Sequence, residues 1–412
     1  MSKINKSLLS FVLFLGVCSG TAQAAVCDVD NDGDIDRDDV SLIFSARNTP
    51  SSGPDDPRDA DGNGVVNVLD GRQCVGQCTL PNCERPLEPP SLSCGDLVSG
   101  SIDAAAETDQ FTFSGEAGDV VSITVADTGG EFLTTGADAR VFLFSPTGAQ
   151  LGLFDANSER VFTLPESGTY VIEVKANNLV STGSYNLNLE CLVPPSPDAI
   201  ALGCGDLVSG SIDAAAEVDV FHFSGEAGDV VSITVADTGG DFLTTGADAR
   251  VFLFSPTGAQ LGLFDANSER VFTLPESGTY AIEVKANNLI STGSYNLNLE
   301  CLVPPSPDAV ALGCGDLVSG SIDAVAEVDV FHFSGEAGDV VSITVADTDG
   351  EFVTTGADTR VFLFSPTGAQ LGLFDANSER VFTLPESGTY VIEVKANNLV
   401  STGSYNLGIE CI

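Results

Sequence analysis

The stretch Cys94-Gly-Asp-Leu-Val-Ser-Gly-Ser-Ile102 recurs from Cys204 to Ile212 and again from Cys314 to Ile322. From 94 to 204 and from 204 to 314, the period is 110 residues. A period this long marks tandem whole domains rather than a solenoid of small units. The copies are nearly identical. They are joined by two short proline-rich linkers, Leu192-Val-Pro-Pro-Ser-Pro197 and Leu302-Val-Pro-Pro-Ser-Pro307. Such linkers are expected to act as semi-rigid spacers.

Inside a copy the hydrophobic pattern has period two. Val121, Ile123 and Val125 alternate with Ser122 and Thr124. Tyr170, Ile172 and Val174 alternate with Val171 and Glu173, and Tyr185, Leu187 and Leu189 with Asn186 and Asn188. Phe111 and Phe113 flank Thr112. Turn signals separate the runs at Gly115–Asp119, Ser145–Gly148, Pro165–Gly168 and Ser181–Gly183. Short alternating strands at this spacing predict a mostly β chain of three tandem antiparallel β-sandwich domains, at 94–191, 204–301 and 314–412. The phenylalanines are expected in the cores rather than on a ligand platform. No helical apolar stripe of useful length is visible in any copy.

The chain has 412 residues, 59 acidic against 16 basic, and a formal net charge of −43. That balance excludes nucleic acid and anionic membrane surfaces as partners and attracts cations instead. Two histidines and no tryptophan leave little for acid–base or transition-metal chemistry. His222 and His332 sit in Phe-His-Phe, where alternation points them away from the core. The first copy has Thr112 in their place, so no Ser–His–Asp set forms there. The chain is therefore not expected to be an enzyme.

Residues 1–24 read as a signal peptide: Lys3 and Lys6, the apolar run Leu8–Val17, and Ala22-Gln23-Ala24 before the cut. A lipoprotein through Cys18 is the rival reading, and Val17 is too large for the usual acceptor motif. No later segment is long and apolar enough to span a membrane. Secretion to an extracellular, oxidising site follows, and the eleven cysteines fall to ten once Cys18 is removed. Pairing within copies (Cys94 with Cys191, Cys204 with Cys301, Cys314 with Cys411) uses all six cysteines of the repeats. Pairing across the linkers would strand Cys94 and Cys411. On a chain-entropy basis, closing about 100 residues stabilises each sandwich by roughly 4–5 kcal/mol.

The strongest chemical signal precedes the repeats. Residues 28–39 read Asp-Val-Asp-Asn-Asp-Gly-Asp-Ile-Asp-Arg-Asp-Asp. Oxygen side chains fall at loop positions 1, 3, 5, 9 and 12 as Asp28, Asp30, Asp32, Asp36 and Asp39. Gly33 takes the sharp turn at position 6, and Asp34 at position 7 offers its backbone carbonyl. Residues 59–70 repeat the scheme with Asp59, Asp61, Asn63, Gly64, Val65, Asn67 and Asp70. Calcium takes six to eight oxygens, and each loop supplies them locally. Two calcium ions are the expected cofactors. Within the sandwiches Asp127, Asp138 and Asp155 lie in or near turns and could hold a further calcium in each copy, which no loop spacing supports.

Two family resemblances follow from these residues. The run from Gly100-Ser-Ile102 through Asp109-Gln-Phe-Thr-Phe113, Ala117–Ile123, Val141–Gly148 and Ser167–Tyr170 to Thr182–Tyr185 resembles the bacterial pre-peptidase C-terminal domain, a β-sandwich attached to exported proteins. The family is related in form to the collagen-binding modules of collagenases. The paired loops, with Asp rather than Glu at position 12, resemble dockerin modules over roughly 27–78, within a module at 25–80. A proline-rich linker at 81–93 follows. The dockerin resemblance implies two ions. One is held by Asp28, Asp30, Asp32, Asp34, Asp36 and Asp39, the other by Asp59, Asp61, Asn63, Val65, Asn67 and Asp70. It also implies helices from about Asp39 to Ala46 and from about Asp70 to Val75, and docking onto a cohesin-like partner. In that family positions 10 and 11 face the partner. Here they are Arg37 and Asp38 in one loop but Val68 and Leu69 in the other, which argues against symmetric docking. Cys27, Cys74, Cys78 and Cys83 depart from the family. Cys27 paired with Cys74 or Cys78 would clasp the module, and a zinc site is the alternative.

The sequence thus predicts a secreted, non-catalytic calcium-binding protein with a docking head and three sandwiches as spacer or adhesive modules. The alternative is a non-catalytic component of an extracellular degradative system whose sandwiches bind polysaccharide or fibrous protein.

Overall fold

The computed structural model describes residues 26–31, 33–79, 83 and 89–412. The expected signal peptide at 1–24 with Cys18, Asp32 of the first loop and much of the expected 81–93 linker lie outside the described residues. The chain forms two compact units, Met1–Glu88 and Pro89–Ile412.

The N-terminal unit contains helix α1 (Arg37–Ser45), strands β1 (Thr49–Pro50) and β2 (Val65–Val66), and helix α2 (Val68–Val75). Both helices begin two residues earlier than expected, and the reason is local. Loop position 9 is the N-cap: Asp36 accepts from the Asp38 amide and Asn67 from the Leu69 amide, each at 2.8 Å. Position 12 is the third helical residue, and its carboxylate reaches back to the cap amide, Asp39 to Asp36 at 2.9 Å and Asp70 to Asn67 at 2.7 Å. This reciprocal capping satisfies backbone donors that a helix start leaves open. Cys27, Val40, Ile43, Val66 and Cys74 form a small core. Cys27 is bonded to Cys74, and Cys78 to Cys83.

Each repeat is a sandwich of two four-stranded antiparallel sheets. In the first copy the strands are β3 (Asp96–Ile102), β4 (Asp109–Gly115), β5 (Val120–Gly130), β6 (Ala139–Phe144), β7 (Gln150–Asp155), β8 (Ser158–Thr163), β9 (Gly168–Ala176) and β10 (Gly183–Val193). One sheet runs β3-β10-β5-β8 and the other β4-β9-β6-β7. The second and third copies repeat this order, and a two-residue strand adds a parallel edge beside each Phe-His-Phe strand. A four-residue helix, α3 (Glu131–Thr134), follows β5 and buries Phe132.

The alternating residues read from the sequence are the core. Val121, Ile123, Val125, Tyr170, Tyr185 and Leu187 are all buried, as are Phe111, Phe113 and Phe154. First and last strands are neighbours, so Cys94 and Cys191 meet with Cα atoms 5.3 Å apart, and the other two copies pair likewise. Gly100 is obligatory on β3, because a Cβ there would lie 2.4 Å from the Tyr185 hydroxyl oxygen. That hydroxyl crosses the core to donate to Asp109 Oδ2 at 2.6 Å. His222 and His332 are half-buried rather than exposed, because the added edge strand pairs beside them.

One departure from the simple sandwich pattern is informative. Ser122 and Thr124 on the outward face of β5 are as buried as the core, and so are Ser232 and Thr234. Thr344, at the same place in the third copy, is exposed. The outer face of one sandwich is covered by the next. Val120 and Leu192 of the first pack against Phe252, Phe254 and Ala281 of the second. Val230 and Leu302 of the second pack against Phe364 and Val391 of the third. The proline-rich linkers are built into these joints: Leu192 is fully buried, and the Ser196 hydroxyl donates to Glu190 at 2.6 Å.

Candidate metal centre

Three groups of carboxylates converge in the N-terminal unit. Oxygens of Asp28, Asp30 and Asp39 lie within 4.8 Å of one another, as do those of Asp34, Asp36 and Asp39, and those of Asp59, Asp61 and Asp70. Among the described residues these are the groups of three or more acidic, histidine or cysteine side chains placed to share an ion. The capping geometry explains how they close. Asp39 and Asp70 are fully buried and already held by backbone amides, Asp39 by Val29 at 2.6 Å and Asp70 by Asp61 at 3.1 Å. Each therefore folds the start of its loop onto the first turn of its helix.

The loop backbones have the shape that the glycines were expected to give. Gly33 has φ +98° and Gly64 φ +87°, the left-handed region that glycine enters at little cost. In the second loop the Asn63 amide donates to Asp59 and Asp61, both at 3.1 Å, and Gly64 donates to Asp59 at 2.9 Å. The Val65 carbonyl accepts from the Asn67 side chain at 2.9 Å, and its second lone pair remains for another partner. Asp34 was expected to contribute only its carbonyl, yet its carboxylate joins Asp36 and Asp39. Burial, followed by the neighbouring Asp36, Asp39, Asp30 and Asp28, pushes the Asp34 carboxyl above its ordinary value. Like charges are crowded here.

The donor set fits a hard cation. Asp28 Oδ1 is buried and meets no hydrogen-bond donor among the described residues. Leaving a carboxylate oxygen buried and unpartnered is costly, and an oxygen-seeking divalent ion beside it would remove the cost. Asp32, at position 5 of the same loop, lies outside the described residues. The zinc alternative does not fit, since all four cysteines of the unit are in disulfides.

Sequence reasoning missed the link between the loops. Asp56 is buried and grips Arg58 through Nε at 2.9 Å and Nη2 at 2.8 Å, and Ser52 donates to it at 2.7 Å. The Arg58 hydrogen bond holds the Asp56 carboxyl far below the usual range. Thr79 closes the far end, exchanging hydrogen bonds with Ile35 at 2.9 and 3.0 Å. The Asp-Pro-Arg spacing was the available signal for the first of these.

The sandwich carboxylates behave differently. Asp127 accepts from the Ala139 amide and the Asn157 side chain, each at 3.1 Å, and burial pushes it up to about 6. Asp138 accepts from Asn177 at 3.0 Å, and Asp155 pairs with Arg140 at 2.6 and 3.0 Å. Protein donors already serve all three.

The family model for the bacterial pre-peptidase C-terminal domain matches residues 107–176, 217–286 and 327–396. The chain belongs to this family. Its three PPC domains are non-catalytic modules, and each match runs from the approach to the first Phe pair through β9 or its equivalent. Among solved structures, the chain is similar to the pre-peptidase C-terminal domain of a collagenase from Bacillus anthracis. Identity is 20%, over 26% of this chain and 99% of that one, with a TM-score of 0.22. It is also similar to PliG from Aeromonas hydrophila, a periplasmic inhibitor of g-type lysozyme. There identity is 17%, over 25% and 96% of the two chains, with a TM-score of 0.20. No curated protein matches the chain. No helix among the described residues is long and apolar enough to cross a membrane.

Proposed function

We propose that this is an exported, non-catalytic protein whose N-terminal unit folds around two calcium ions and docks to a protein partner, with the three PPC domains as its arm. The carrying observation is Asp28 Oδ1, buried without a donor beside the carboxylates of Asp30 and Asp39. Asp28, Asp30, Asp32, Asp34, Asp36 and Asp39 would hold one ion, and Asp59, Asp61, Asn63, Val65, Asn67 and Asp70 the other. The ion supplies positive charge where carboxylates repel, so its binding energy becomes folding energy. Five disulfides support export to an oxidising compartment.

A docking role rests on the first turns of the helices. Val68 and Leu69 are 53% and 55% exposed, and Arg37 and Asp38 are exposed on the other helix. One face is apolar and the other charged, so a cohesin-like partner would engage in one orientation. Calorimetric titration of the chain from residue 26 onward, stripped with chelator, should show two calcium sites. Asp39→Ala should remove one and Asp70→Ala the other. No uptake at millimolar calcium would overturn the reading. Retention of the sandwiches on insoluble polysaccharide or collagen would instead favour a substrate-binding component of a degradative system.

A further inference from the structure

The joint between sandwiches is built twice in one chain, and each of its two faces recurs once more without a second sandwich of this chain against it. At the first joint Lys285 of the second sandwich bonds Glu159 of the first and its own Glu283, and its ammonium lies 3.9 Å from the centre of the Phe252 ring. At the second joint Lys395 bonds Glu269 and Glu393 and lies 4.1 Å over Phe362. Both lysine side chains are 2% exposed and both inner glutamates fully buried. A side-chain amide crosses each joint, Asn186 to the Ala215 carbonyl at 2.9 Å and Asn296 to that of Val325 at 2.8 Å. Backbone meets side chain closely as well. A Cβ on Gly258 would lie 2.4 Å from Val120, and one on Gly368 would lie 2.5 Å from Val230.

The first sandwich presents the same receiving face with nothing from another sandwich on it. Lys175 lies 4.1 Å over Phe142 and 3.5 Å from Glu173, as at the completed joints, but the two charged side chains are 24% and 21% exposed. Phe142 and Phe144 are half-buried where Phe252 and Phe254 are buried, and Gly148 has open space where Gly258 meets Val120. The third sandwich presents the inserting face. Ser342 holds Glu379 as Ser122 holds Glu159, yet Glu379 and Thr344 are exposed.

We propose that the receiving face of the first sandwich takes the inserting face of the third sandwich of a second copy, continuing the internal joint from chain to chain. The residues needed are those of the completed joints, so the two faces match in shape and charge, with Lys175 meeting Glu379 over Phe142. The contact is heterologous, since different faces meet. Repetition therefore gives open, head-to-tail chains rather than closed dimers. Two terms weaken it relative to the internal joints. It lacks the linker that keeps neighbouring sandwiches at high effective concentration, and chains of charge −43 repel. Salt shortens that repulsion, so association should strengthen with ionic strength while the interlocked joint persists.

Sedimentation velocity on the chain from residue 26 onward, from micromolar to millimolar protein in low and high salt, tests this. The expected result is concentration-dependent growth beyond dimers, stronger in high salt. Lys175→Glu or Glu379→Lys alone should weaken it tenfold or more, and the charge-swapped pair should restore it to within about threefold. A strictly monomeric chain in high salt would overturn the proposal, as would association indifferent to both single variants. Protection of Lys175 from acetylation in the monomer would overturn it too, by showing that the chain covers its own receiving face. Calcium uptake is read separately by titration, so failure here leaves the metal reading standing.

Discussion

In the N-terminal unit, Asp28, Asp30 and Asp39 face one another, and a buried oxygen among them has no donor. In the sandwiches, a less acidic sequence gives most buried carboxylates protein donors, although Glu283 and Glu393, each paired with a lysine, keep one buried oxygen without a donor. Asp109, Asp219 and Asp329 each take a tyrosine hydroxyl, and Glu190 and Glu300 each take a serine and an asparagine. The cores differ in the same direction. Five buried side chains form the core of the N-terminal unit, whereas each sandwich closes a two-sheet core and a disulfide across 97 residues of chain. On the calcium reading proposed above, the contrast is between charge held by an external cation and charge held by internal donors, and only the first would make folding conditional on ions.

Removing calcium is the sharpest way to break this comparison. A unit of this size rarely stands on its hydrophobic core alone. On chelation, amide protection in helices 37–45 and 68–75 should collapse towards that of an unfolded chain restrained by Cys27–Cys74, while protection in the sandwiches stays unchanged. Hydrogen exchange followed by mass spectrometry reads both in one sample. Helices that remain protected without calcium would place the unit with the sandwiches, held by its own contacts.

The joints set up a second contrast, between copies of one residue. Lys285→Ala leaves Glu159 and Glu283 facing each other in a buried site, which should cost about 3–5 kcal/mol. Lys175→Ala removes the same side chain from an exposed face and should cost about 1 kcal/mol or less. Urea unfolding of the two variants measures the difference. Equal midpoints would show that the ion triad contributes nothing to the joint.

These contrasts also show what the sequence made legible. Period two in Val121–Val125 and Tyr185–Leu189 carried the sandwich, because a half-buried strand writes its burial directly into alternation. The cysteines at the ends of each copy carried the covalent pairing, and the spacing of aspartates and glycines brought most of the predicted ligands into clusters. The joints were not legible. Ser122 and Thr124 occupy the polar positions of the alternation, and Thr344, the counterpart of Thr124 in the third copy, is exposed, so burial there depends on a neighbour and not on local pattern. The helix starts were missed for a related reason. Position 12 was read as a metal ligand alone, although Asp39 and Asp70 also close the helix caps.

Acidification should separate the two units by sign, with the smallest effect of the three. Burial pushes Glu190 and Glu300 up to about 7, with Asp198 and Asp219 adding to the effect at Glu190, and pushes Asp219, Asp237 and Asp329 up to about 6. A carboxyl raised above its unfolded value is protonated more readily in the folded chain. Its stabilising contribution is complete below about 4 and is lost as pH rises through 6 to 7. At Glu159 and Glu269 burial also pushes upward, but the Lys285 and Lys395 ammonium groups more than offset it, and both lie below the ordinary value. Their contribution is lost only on acidification below the ordinary carboxylate range, outside the window between pH 5 and 8. Each of these raised carboxyls should therefore add roughly 1–2 kcal/mol to the stability of its sandwich between pH 8 and pH 5, a rise of several degrees in melting temperature. Calcium binding moves oppositely, because protons compete for the same aspartate oxygens and Asp34 already lies above its ordinary value. Calorimetric scans in calcium at pH 8 and pH 5 should thus show the transition of the N-terminal unit falling as the sandwich transition rises. Two transitions moving together would mean that the carboxylates of the two units meet protons on the same terms.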